Sequence, residues 1–364
     1  NGYDLNNNRQ GGVMQGQSLN LQAGSVDNYG GRIAAQGGNA LVTTGNFDNR
    51  NGGLYAKGLM RVVGHDFDNS GDNDGQIAGQ QIDLDLSGAL NNRLGIIESE
   101  SSLKVRAASL DNQTGRLRAL GTAGTTEFAI GGLFDNRNGV LETANNDLTL
   151  NAGSLQNLGG NVLHVGTGKF GIAPANLNDV GGSLVTRGDL TITQGNWTNS
   201  SVIQAGQLTV NVDSLDQTAT GQLLGARRFI GNGANWTTHG LIASDGALDL
   251  TLSGALNSSG RISSLGNLNL NAAQASLSDT ASIAGGGVTT ANIAGTLNNR
   301  GRLTAATDLV VNAGTLNNYA TLGSGQRLVA TTGALLNDHG LIFSGGDMSL
   351  RVDALNNSYA DVYS

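Results

Sequence analysis

Apolar residues recur along this chain in one short motif: an apolar position followed by two polar ones, usually Asn or Asp. Its apolar member falls at Leu5, Val26, Phe47, Phe67, Leu90, Leu110, Phe134, Leu155, Leu177, Trp197, Leu215, Trp236, Leu256, Leu277, Leu297, Leu316, Leu336 and Leu355. These 18 anchors lie 18 to 24 residues apart, about 20.6 on average. Between anchors the same order returns. A turn, often with glycine (Gly30-Gly31, Gly52-Gly53, Gly139), leads to a short segment around one apolar residue (Ile33, Leu54, Ile97, Leu141). A second turn of small residues follows, then an alternating pair such as Leu84/Leu86, Leu103/Val105 or Leu148/Leu150.

Alternation with period two predicts strands rather than helices. Three short strands and three turns in about 20 residues, repeated as a unit, predict a coil and not a set of hairpins. The expected fold is all-β: a parallel β-helix, or solenoid, of about 17 coils, with like strands stacked ~4.8 Å apart. No coil can cover its own apolar face, so each depends on its neighbours. Phe47, Phe67, Leu110, Phe134, Trp197, Trp236, Leu297 and Leu316 are expected as core anchors. A single continuous domain is expected over 1–357, with 358–364 a tail or the start of another coil.

The third motif position is Asn in eight successive coils: Asn7, Asn28, Asn49, Asn69, Asn92, Asn112, Asn136 and Asn157. Amides stacked coil over coil can hydrogen-bond along the axis, so these residues predict a structural ladder. The pattern lapses at Gln217, Thr238 and Ser258 and returns at Asn299 and Asn318. A weaker ladder is expected there.

Composition fits this picture. Gly accounts for 57 of 364 residues, Pro for 1 and Cys for 0, and only 13% are charged. The net charge of −8, with no basic cluster beyond Arg227-Arg228, argues against nucleic acid as a partner. No run of 18 apolar residues is present, so no spanning helix is expected. With no basic-then-apolar leader at Asn1, the chain reads as a piece of something longer.

Units such as Leu155-Gln156-Asn157-Leu158-Gly159-Gly160 and Leu297-Asn298-Asn299-Arg300-Gly301-Arg302-Leu303 resemble the repeats of filamentous haemagglutinin-type exoproteins, and the resemblance covers residues 5–357. It implies a right-handed β-helix from a Gram-negative bacterium, secreted to the cell surface through an outer-membrane transporter of the two-partner type. It implies the structural shaft of a filament, as in contact-dependent growth inhibition effectors and large adhesins, which projects an adhesive or toxic activity toward a neighbouring cell. An outer-membrane or glycan receptor on another cell would then be a partner. The family's Asn-Pro secretion motifs are absent here: the only proline, Pro174, follows Ala173.

Candidate chemistry is sparse. Ser70-x-Asp72-x-Asp74-Gly75 resembles the start of a calcium loop, but its twelfth position is Gln81, not the bidentate Glu such a loop needs. Asp72 and Asp74 are therefore weak metal candidates, and a solvated loop is the stronger reading. Asp83 and Asp85 should face outward and stack on Lys104 and Arg106 as a surface salt ladder. His65, His164, His239 and His339 lie in different coils; His239 and His339 share one place in their repeats, too far apart to act together. Tyr29, Tyr55 and Tyr319, and the Thr122–Thr126 loop, are expected as exposed contact points.

A β-helical polysaccharide-active enzyme would need three or more outward acids stacked with a basic partner, and no such cluster is evident in the sequence. No enzymatic activity, catalytic residue or cofactor is expected. A segment that itself binds a glycan or receptor is the other alternative. Unpaired strand edges at the two ends allow end-to-end self-association.

Overall fold

A computed structural model of the chain describes residues 2–3, 9–71 and 75–364. It is an all-β solenoid of about 17 parallel stacked coils, as the repeat predicts. Two compact units, Asn1–Gly188 and Asp189–Ser364, divide it.

In the first unit three in-register columns of apolar side chains make the core. The strand after the Asn turn contributes Ile33, Leu54, Ile77, Ile97, Leu117, Leu141, Val162 and Leu184, each paired with the next. The alternating strand contributes Val42, Val62, Leu84, Val105, Phe128 and Leu150. The anchor column runs Val26, Phe47, Phe67, Leu90, Leu110, Phe134, Leu155. Side chains alternate sides along each strand, so from Ile33 onward one face of these strands is buried and the other faces outward. Burial per coil is small, and stacking supplies the rest: the Phe47 and Phe67 rings lie parallel, 4.6 Å apart.

The polar pair after each anchor has two different jobs. The first residue points out and turns back on its own chain. Asp48 Oδ1 accepts the Arg50 amide at 3.1 Å, Asp111 the Gln113 amide at 2.9 Å and Asp135 the Arg137 amide at 3.1 Å. This side-chain cap forces the corner. The second residue, Asn, points in. Two residues later the backbone enters the left-handed region at Gly30, Asn51, Leu94, Thr114, Asn138 and Gly159, with φ between 54° and 68°. Glycine comes next because the coils approach closely there: a Cβ on Gly115 would stand 2.1 Å from the Asn92 carbonyl oxygen.

Leu94 and Thr114 carry side chains that this corner disfavours. Thr114→Gly is expected to stabilise the chain by up to about 1 kcal/mol, the left-handed strain being relieved at an exposed site. A melting temperature equal to or below that of the parent would contradict it.

The coil carrying Pro174 departs from the pattern. A 3-10 helix, Pro174–Leu177, stands where the anchor strand would run, because proline has no amide to give the ladder. Leu177 still reaches the core at 1% exposure, and Asn176 Nδ2 donates to the Ala152 carbonyl at 2.9 Å.

In the second unit the anchor column runs Trp197, Leu215, Trp236, Leu256, Ala275, Leu297, Leu316, Leu335, Leu355. Two anchors expected from the sequence are corrected. Ala275, not Leu277, holds the anchor place, and Leu277 falls in the inward polar column between Ser258 and Asn299. Leu335, not Leu336, pairs with Leu316 and Leu355, which turns Leu336 outward. Asp361–Tyr363 pairs in parallel with Leu341–Phe343.

Candidate functional site

The most regular chemistry in the molecule lies along its inner corner. In the first unit each Asn donates through Nδ2 to Oδ1 of the Asn one coil on: Asn28 to Asn49 at 2.6 Å, Asn49 to Asn69 at 2.7 Å and Asn69 to Asn92 at 2.8 Å. The file continues through Asn112, Asn136 and Asn157, at 2.7 Å per step. All seven amides are buried. Their other contacts are turn carbonyls, such as Gly95 at 3.2 Å from Asn92 Nδ2. Asn49, Asn69, Asn92 and Asn136 thus use Nδ2 for both the axial step and their own corner, while Asn112 Nδ2 reaches the Val140 carbonyl of the next coil, at 3.4 Å. Asn7 lies outside the described residues. In the second unit a shorter file joins Asn299, Asn318, Asn337 and Asn357 at 2.7 to 2.8 Å. Asn337 was missed in the sequence because the misplaced anchor at Leu336 shifted its register by one, whereas Asn357 stands at the third position after the correctly placed Leu355.

The core anchors Phe47, Phe67, Leu110, Phe134, Trp197, Trp236, Leu297 and Leu316 are all buried, at 2% exposure or less. The Trp236 indole uses its one donor on the Val212 carbonyl, at 2.8 Å.

A second inward column is made of small residues: Ala35, Ala56, Gly79, Ser99, Ala119 and Thr143, then His164 and Thr186. His164 is fully buried and stacks on Phe170, ring centroids 5.7 Å apart. Its Nε2 meets the Asn145 and Asn146 carbonyls at 3.2 and 3.0 Å, and carbonyls only accept, so Nε2 carries the hydrogen. In the neutral ring, which burial favours, Nδ1 accepts from Thr186 Oγ1 at 2.9 Å. Burial lowers its pKa, against the carbonyl contacts and the Asp147 charge, which raise it. Protons thus bind the unfolded chain better than the fold. Stability from this site is complete above the ordinary histidine pKa of ~6.5 and falls as pH drops below it. Melting temperature is expected to drop between pH 7.5 and pH 5, less steeply in His164→Thr. An unchanged pH slope in that variant would remove His164 as the cause.

The outward surface does hold stacked acids, which corrects the reading that no such column exists. Asp27, Asp48 and Asp68 lie in register, with Asp111 and Asp135 farther along the same column. Arg50 lies 2.8 Å from Asp48 and 3.9 Å from Asp68. Each carboxylate caps its own turn, however, so the column is used structurally. Burial opposes ionisation of Asp135, but hydrogen bonds from the Arg137 side chain and amide prevail and hold its pKa below the usual carboxylate value.

On the alternating strand Asp83 and Asp85 stand opposite Lys104 and Arg106. Arg61 bonds Asp83, and Asp85 lies 3.7 Å from Arg61 and 3.6 Å from Arg106. A parallel ladder joins Glu98, Arg118 and Glu142 at 3.4 and 3.8 Å. Such exposed pairs contribute roughly 0–1 kcal/mol each and set register more than stability.

Tyr29, Tyr55 and Tyr319 are half-buried, each beneath a guanidinium: Arg50 at 5.5 Å, Arg32 at 5.0 Å and Arg300 at 4.4 Å from the ring. In the Thr122–Thr126 loop, residues 122–125 are exposed, while Thr126 turns inward to bond Thr143 and Asn145, both at 2.7 Å. His239 and His339 each stand two residues before one column, which runs from Leu241 to Leu341, but three and four residues after their anchors Trp236 and Leu335, and they lie five coils apart. Asp72 and Asp74 lie outside the described residues. Among those described, no three His, Asp or Glu side chains gather as a metal site.

The haemagglutinin repeat family matches residues 3–51, 50–138, 121–170 and 264–358, and the chain belongs to it. It is a shaft segment of the kind carried by secreted two-partner exoproteins. Over 359 residues it is 30% identical to deoxyribonuclease CdiA of Dickeya dadantii (strain 3937), an alignment covering 96% of this chain and 10% of that protein. The chain thus spans about a tenth of the length of this curated relative. No solved structure matches the chain. The stretch between the repeat matches, 171–263, contains the Pro174 coil and much of the interrupted Asn column.

Proposed function

We propose that this chain is the structural shaft of a filament on the surface of a Gram-negative bacterium. It holds an activity carried elsewhere in the parent protein away from the cell and toward a neighbour, as in contact-dependent growth inhibition. The observation that carries this reading is the alignment of nearly the whole chain, as a repeat solenoid, with a tenth of a much longer relative named for a nuclease. Export would run through an outer-membrane transporter of the two-partner type, and a receptor on the target cell would be met by another segment. The chain itself is read as non-enzymatic, because its regular polar columns are engaged in holding coil to coil.

The test has two arms. The purified chain, incubated with plasmid DNA and divalent metal, should leave the DNA intact. In the parent protein, removal of an integral number of coils should leave activity in lysates unchanged while lowering inhibition between touching cells. DNA cleavage by the purified chain, or unchanged delivery after the deletion, would overturn the reading.

A further inference from the structure

The ladder column of the second unit is continuous in register but not in chemistry. It runs Asn199, Gln217, Thr238, Ser258, Leu277, Asn299, each paired with the next. All six side chains are buried. Five of them carry a polar atom with no hydrogen-bond partner in the protein: Asn199 Nδ2, Gln217 Oε1, Thr238 Oγ1, Ser258 Oγ and Asn299 Oδ1.

The direction of the ladder explains which atoms are stranded. Every intact step runs from Nδ2 of one Asn to Oδ1 of the next. Asn199 therefore presents a donor to the following coil. There Gln217, one methylene longer, has curled its Nε2 onto the Gly221 and Leu241 carbonyls, both at 2.8 Å. At the far end Asn299 presents an acceptor toward Leu277, which has nothing to donate. Thr238 and Ser258, between them, are each shorter than Asn and carry a hydroxyl where the ladder would carry an amide. A buried hydroxyl without a partner costs about 1–3 kcal/mol, so several in one file demand a ligand.

We propose that this seam binds water: ordered molecules sit in the Asn column beside Thr238 Oγ1 and Ser258 Oγ, and between Asn199 Nδ2 and Gln217 Oε1, replacing the missing amides. Buried waters settle where two to four polar groups converge and are otherwise unsatisfied. The ligand must both donate and accept, since the file begins with an N–H and continues through oxygens. A metal cation fits poorly, because the Asn199 amide would repel it and no carboxylate lines the column. Leu277 is the apolar stopper that ends the file before Asn299. The inference stands apart from the shaft reading and does not depend on it.

A high-resolution crystal structure of the chain decides it. Solvent density within hydrogen-bond distance of Thr238 Oγ1 and Ser258 Oγ is expected. In the double variant Thr238→Asn, Ser258→Asn, amide density should replace it, with a rise in melting temperature of about 2 °C or more. A map in which the two hydroxyls bond directly to protein carbonyls or to each other, with no solvent beside them, would overturn the proposal. So would an unchanged melting temperature in a double variant whose ladder is seen to form. If the double variant does not fold, the map of the parent chain alone decides.

Discussion

Asn112→Ala should open the coils around it more than any exposed substitution could. Asn112 accepts from Asn92 and donates to Asn136, both at 2.7 Å, with no exposure to solvent. Truncation takes the acceptor from one neighbour and the donor from the other, and leaves a void. Each stranded buried group costs about 1–3 kcal/mol, so the total is about 3 kcal/mol or more. Asn112→Leu would fill the void but strand the same two amides, and should fall between the alanine variant and the parent. Because coils contact mainly their neighbours, the loss should be local. Amide exchange should quicken in the coils of Asn92, Asn112 and Asn136 while protection near Asn318 is kept. Uniform loss of protection, or none, would refute the ladder as a source of local stability.

Trp236→Ala is expected to cost about 3–5 kcal/mol in the second unit, the range for emptying a buried aromatic site. Trp236 has no exposed surface, and its indole donates to the Val212 carbonyl. Space for the ring is made by Gly231, which stands in the inward column between Val210 and Leu250. A Cβ on Gly231 or Gly233 would meet the indole at 2.6 Å. Trp236→Phe keeps most of the volume and loses one hydrogen bond, so about 1 kcal/mol is expected. Thermal melts of the two variants check the contrast. Equal destabilisation by Phe and Ala would mean that the hydrogen bond, not the packing, holds the site.

The repeat was legible because the apolar anchor and the inward Asn are separated by a fixed step, and that step is set by the turn. Where two apolar residues compete for the anchor, spacing cannot choose. Leu335 and Leu336 both satisfy the period, and only the pairing of Asn337 with Asn318 and Asn357 decides. At Ala275 the true anchor is too small to stand out beside Leu277. The acids after the anchors were visible as residues but not as a column. Their use became clear only from the amides they cap two positions on. His164 gave no signal, because a lone histidine among small inward residues looks like any other polar position until its ring is seen between Thr186 and Phe170.

The distance from anchor to close-packed glycine is five residues at Phe47–Gly52, Leu90–Gly95, Leu110–Gly115 and Phe134–Gly139. From Phe67 to Gly75 it is eight, yet Asn69 still bonds both Asn49 and Asn92. Extra length between Asn69 and Gly75 therefore leaves the amide file intact. Foreign peptides grafted there, or into the exposed 122–125 turn, would be displayed on the flank of the solenoid while its winding stayed as it is.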